Sequence, residues 1–139
     1  MPWLTRWFIK SALVYFAVSM LVGVALGAQG VVRLPPVIAA LMPVYVHLFM
    51  VGWVTQMIFG VAYWMFPRVS KQNGDREQGL ALVTYITVNL GLIVRALAEP
   101  GFALRPAAGW GGMLILSAVL QWIGALAFVG TVWPRVRGR

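Results

Sequence analysis

Cysteine is absent from the 139 residues, which excludes disulfides, thiolate metal sites and covalently attached c-type haem. Acidic residues are nearly absent too. Asp75, Glu77 and Glu99 are the only three, and each lies in or beside a segment expected to be a loop. Pumps and cation-coupled transporters normally carry carboxylates or relays of titratable groups inside their spans, so this shortage argues against that class. Histidine occurs once, as His47. One chain therefore cannot assemble a multi-ligand zinc or copper centre, nor a nucleophile backed by a histidine and an acid. Catalysis by side chains alone is not expected.

What the chain has in abundance is apolar surface. Hydrophobic residues make up 61% and charged residues 10%, against roughly half and about a quarter in an ordinary soluble domain. Four apolar runs stand out, at residues 7–28, 37–66, 79–98 and 110–133. Each reaches the roughly 20 residues that a transmembrane helix requires. The second run, as a helix of about 45 Å, must tilt or overhang the hydrocarbon. The first is long for a signal-peptide core and is expected to be a retained span.

The net charge of +8 does not point to nucleic acid, because the basic residues flank apolar runs and act there as topological anchors. Arg6, Lys10, Arg68, Lys71, Arg76, Arg135, Arg137 and Arg139 fall on one side of the expected spans, and Arg33, Arg95 and Arg105 on the other. Eight against three places both termini in the cytoplasm. The expected location is a bacterial-type inner membrane, crossed several times, with lipid as the surrounding partner. Pro35-Pro36 closes the first loop and pre-sets the next helix. Residues 67–77, with an Asn73-Gly74 turn signal, form an inner loop, and residues 99–106 a short outer one. Connections this short make successive helices antiparallel neighbours. The expected fold is an all-α, single-domain bundle of four membrane helices.

Ser19, Gly23 and Gly27 recur every four residues and make a small-residue stripe, suited either to packing inside the bundle or to a subunit contact. Ser117, Gln121 and Ala125 share a face of the fourth helix, where a buried glutamine would join helices or touch a cofactor. Trp3, Trp7, Trp110 and Trp133 sit near span ends and read as an interfacial belt.

His47 is the residue with the most chemistry. It lies about 16 Å along a helix from Pro36, in the outer half of its span. A neutral imidazole there offers one donor and one acceptor. At α-helical spacing Met50, Val51, Val54 and Ile58 follow on the same face, an apolar lane that suits a flat tetrapyrrole. The alternative is a histidine bonded to Ser, Thr or Gln of a neighbouring helix.

Residues 47–67 resemble the second transmembrane helix of the catalytic subunit in the haem–copper oxidase superfamily, the nitric oxide reductase branch above all. The features that match are His47, Trp53, Gly60, Ala62-Tyr63-Trp64 and Pro67. In that family the histidine is an axial ligand of a low-spin haem b, so the resemblance implies His47 as a haem-iron ligand. The family's second low-spin ligand and its high-spin metal ligands have no counterpart here, and its catalytic subunit is a far larger helical bundle. The chain is thus not expected to be a terminal oxidase or nitric oxide reductase on its own. A second axial ligand would come from His47 of another copy in a homodimer, the commonest closed assembly, from a methionine, or from a different subunit. Arg95, Arg33 and Arg105 are the candidate partners of haem propionates, although Arg95 also stands one helical turn before Glu99. Two functions follow as expectations: a b-type cytochrome for electron transfer or redox and gas sensing, with an unidentified redox partner, or a haem-free accessory subunit of a larger membrane complex.

Overall fold

Long apolar stretches favour helices because a helix satisfies its own backbone hydrogen bonds without water. In the computed structural model, which describes residues 2–66 and 74–136, every regular element is helical. Helix α1 spans Trp3–Ala28 and follows Pro2, whose extended backbone starts the chain into the first turn. The short α2, Pro36–Ala39, begins on a proline, a residue suited to the first helical position because the N–H it lacks would be unpaired there anyway. A tight turn at Ala40-Leu41 leads into α3, Met42–His47. A π-helical segment follows at Leu48–Thr55, then α4 at Gln56–Met65. Together these pieces make one rod, Pro36–Met65. Helix α5 covers Gly74–Leu104, and α6 covers Ala108–Val132 with a 3-10 turn at Trp133–Arg135. All four rods are long and apolar enough to cross a membrane.

Both ends of α5 differ from the sequence expectation. Residues 99–104 are not a loop: α5 runs through Pro100 to Leu104. The helix carries on beyond the proline, with the Arg105 amide donating to Gly101 O at 3.0 Å, and Gly101 has no side chain to clash with Trp110 (a Cβ there would lie 2.7 Å from the indole). The distal connection shrinks to Arg105–Ala107. At the other end α5 starts early, so Asp75 and Glu77 occupy its first turn, where carboxylates favour the helix dipole. Most of the expected inner loop, Asn73 included, lies outside the described residues.

The rods pair as α1 with the second rod and α5 with α6. Glycines make both seams close. A Cβ on Gly52 would stand 2.8 Å from the Tyr15 ring, and one on Gly60 3.0 Å from Phe8 Cβ. On the other seam a Cβ on Gly91 would meet Gln121 Cγ at 2.8 Å, and one on Gly124 would meet Val88 Cγ2 at 2.6 Å. The small-residue stripe of α1 packs inward for most of its length: Ser19 is fully buried and Gly23 faces Tyr45. Gly27 has open space beside it.

All four rods meet in an aromatic cluster toward the end that carries the termini. Phe8 of α1 contacts Tyr63 and Tyr85 at centroid distances of 5.5 and 5.1 Å, and Phe59 stacks on Phe128 of α6 at 3.9 Å. Such pairs contribute about 0.5–1.5 kcal/mol each beyond their burial. Trp3, Trp7 and Trp133 are exposed at this same end, and Trp110 sits at the opposite one against Gly101.

Candidate functional site

His47 closes α3, just before the π-helical segment. Its Nδ1 lies 2.9 Å from the carbonyl oxygen of Pro43, one turn earlier. A carbonyl only accepts, so a neutral imidazole in this position carries its proton on Nδ1. The lone pair is then on Nε2. Metal-ligating histidines are commonly oriented in this way, through a hydrogen bond from the other ring nitrogen. His47 itself is half-buried, and its neighbours Val46 and Met50 are exposed at 43% and 52%. The imidazole therefore lies near the outer surface of the bundle. It does not line the cavities at Pro2–Arg135, Phe128–Val136 or Lys10–Asn89.

The apolar lane expected below His47 divides. The segment after it is π-helical, with hydrogen bonds reaching five residues back, so residues three, four and seven further on no longer follow α-helical register. Thr55 reinforces this register by donating its hydroxyl to Met50 O at 2.8 Å. Met50 and Ile58 face outward, Val54 is half-buried, and Val51 turns in to pack on the buried cluster. The four residues therefore do not form one continuous lane below His47.

The arginines are likewise sorted by the structure. Arg95 Nε donates to Glu99 Oε1 at 2.9 Å within α5, the local ion pair that their spacing allows. Arg33 and Arg105 are exposed at the distal end, and their side chains make no hydrogen bond or ion pair among the described residues. Gly91, which shares a face with Thr84, Thr87 and Arg95, is filled by Ser117 and Gln121 of α6. Ser117 donates to Gly91 O at 2.8 Å and Gln121 to Ser117 Oγ at 3.1 Å. The polar face of α6 is thus interhelical, while Ala125 is exposed.

The largest polar feature was not singled out from the sequence. Gln56, Asn89 and Tyr15 form a three-helix cluster inside the bundle. Tyr15 donates to Asn89 Oδ1 at 2.9 Å, Gln56 Nε2 donates to the same oxygen at 3.3 Å, and Asn89 Nδ2 returns a bond to Gln56 Oε1 at 3.2 Å. Gln56 is fully buried. One turn from this cluster the Ser11 and Tyr85 hydroxyls share a hydrogen bond of 2.7 Å, and beyond it Tyr63 donates to Thr84 at 3.2 Å. Gln56 and Asn89 both stand deep inside apolar runs, and that isolation was the signal available in the sequence.

A charged site closes the end carrying the termini. Arg135 Nη2 donates to Glu77 Oε2 at 2.7 Å, with the two side chains only 5% and 13% exposed. Arg135 also lies over the Tyr63 ring at 5.9 Å, and its Nη1 reaches Phe66 O at 3.4 Å. Its Nε is buried without an acceptor among the described residues.

No cluster of three or more His, Cys, Asp or Glu occurs among the described residues. No protein-family model matches the chain, and comparison with curated proteins and with solved structures likewise returns no match.

Proposed function

We propose that this is a multi-pass protein of a bacterial-type inner membrane, termini in the cytoplasm, that binds a b-type haem through His47. The orientation is supported by the sequence, which puts eight basic residues in the expected inner segments against three in the outer ones. The observation that carries the haem reading is the His47–Pro43 hydrogen bond. It holds the ring by Nδ1 and leaves Nε2 to bind iron at the bundle surface. A surface ligand of this kind is completed by a second copy: two His47 side chains, related by a two-fold axis, would hold one haem between two chains. Exposed Val46 and Met50 would line its faces, and Arg33 or Arg105 would pair with the propionates at the distal end. When bound, such a group supplies one-electron exchange at iron. Held by a histidine from each chain, such a group would favour electron transfer over gas binding.

The test is a reduced-minus-oxidised visible spectrum of the detergent-purified protein, expressed with haem supplied, with haem and protein quantified together. One haem per two chains, lost in His47→Ala, is the expected result. One haem per chain would sink the shared site and require a different axial partner.

A second reading, a haem-free accessory subunit, is favoured by the Tyr15–Gln56–Asn89 cluster and the aromatic cluster, which fill the interior without a cofactor. Absence of haem in the same spectrum would establish that reading and leave His47 as a structural residue.

A further inference from the structure

Helices α1 and α5 belong to different tight pairs and meet each other more loosely. A groove of about 290 Å³ opens there. Ser11, Tyr15 and Asn89 line it with polar groups, Val14 with an apolar one, and Lys10 with the one charge among the described lining residues. Most of those polar hydrogens are already committed. Tyr15 donates to Asn89, and Asn89 gives its two amide hydrogens to Gln56 Oε1 and Tyr85 O. Ser11 differs. Its hydroxyl and that of Tyr85 share a single hydrogen bond of 2.7 Å. Two hydroxyls carry two hydrogens, so with Tyr85 donating, the Ser11 hydrogen remains for an acceptor in the groove. The groove thus offers one neutral and one cationic donor, a combination that suits an anionic oxygen.

Depth points to the source of that oxygen. Lys10 lies two helical turns, about 10 Å, beyond Trp3 and inside an apolar run. Trp7 stands edge-on to Tyr85 at 5.8 Å, and indoles at span ends collect at the headgroup level. An exposed lysine just inside that level extends its ammonium back toward it along an apolar stem. We propose that the groove between α1 and α5 binds the phosphate of an anionic phospholipid, held by the Lys10 ammonium and the Ser11 hydroxyl. Its acyl chains run past Val14, one turn deeper and 61% exposed. The proposal rests on membrane insertion, not on haem at His47 or on which end is cytoplasmic.

The test is titration of the full-length protein, in a neutral detergent, with dioleoyl phosphatidylglycerol or dioleoyl phosphatidylcholine, bound lipid being counted by native mass spectrometry. One phosphatidylglycerol is expected to bind ahead of any phosphatidylcholine. Lys10→Gln is expected to weaken it about fivefold, the effect of one basic residue at an anionic surface. Ser11→Ala, which leaves the charge unchanged, is expected to weaken it about threefold, and Ser11→Thr to keep it. Helicity and thermal midpoint check that each variant is folded. Arg76 is exposed on α5 and does not line the groove, so Arg76→Gln is expected to have less than a twofold effect. An equal loss in Arg76→Gln and Lys10→Gln would overturn the site in favour of diffuse attraction, and so would equal binding of the two lipids. Displacement of the lipid by an equal concentration of inorganic phosphate would overturn it too, since the ligand would then be a free anion. Flotation with vesicles of phosphatidylcholine alone tests insertion separately: a chain that floats but fails the titration loses this site and keeps the membrane reading.

Discussion

Tyr15 donates its hydroxyl hydrogen to Asn89 Oδ1 at 2.9 Å, tying α1 to α5 across the interior of the bundle. The same amide exchanges hydrogen bonds with Gln56 of α4 and donates to Tyr85 O at 2.7 Å. Three of the four rods are thereby joined through one side chain. The aromatic rings that also cross between hairpins are adaptable in register, whereas directional amide bonds define a single one.

Removing Asn89 should therefore be costly out of proportion to its size. Asn89→Leu leaves the fully buried Gln56 amide and the Tyr15 hydroxyl without their partner, a loss of about 1–3 kcal/mol. Adding Gln56→Leu removes the stranded amide as well, so the double variant should recover part of the loss. Reversible unfolding in mixed micelles measures both. Additive losses would show that the two side chains are not coupled.

The glycines should divide by position. Gly91→Ala and Gly124→Ala place a methyl 2.8 Å and 2.6 Å from atoms of the facing helix, and overpacking of that kind costs about 1–3 kcal/mol. Gly109, Gly112 and Gly130 have no such neighbour within 4 Å. Alanine there should be neutral or stabilising, by up to about 1 kcal/mol within a helix. Thermal midpoints of the five variants in one detergent decide it.

The two ion pairs among the described residues should respond differently. Glu77→Gln leaves the Arg135 guanidinium, 5% exposed, without its carboxylate; breaking a buried pair from one side costs about 3–5 kcal/mol. Glu99→Gln breaks an i,i+4 pair whose side chains are 22% and 14% exposed, and a loss of at most about 1 kcal/mol is expected. Equal losses in denaturation would contradict this assignment.

Topology can be read with single cysteines, since the native chain has none to interfere. Arg33→Cys and Arg105→Cys, both at the distal end, should react with an impermeant maleimide applied to intact spheroplasts. Gln78→Cys, exposed near the end with the termini, should react only after lysis. The reverse pattern would invert the proposed orientation.

Number and placement of the four rods were legible in the sequence, because span length and flanking charge are local properties of a chain. Pro36 as a helix start was legible for the same reason. Which face of each rod points inward was not. These helices are apolar nearly all round, so no amphipathic stripe marks the packed side. Only tertiary structure turned Val51 into the core, left Met50 outside, and brought Tyr15, Gln56 and Asn89 together. It also carried α5 through Pro100, where Gly101 lets Trp110 pack close. His47 belongs to both accounts. Its position in an apolar run was local information, and so is the Pro43 bond, one turn within α3, whereas the partly exposed surface around the ring depends on how the rod packs against its neighbours.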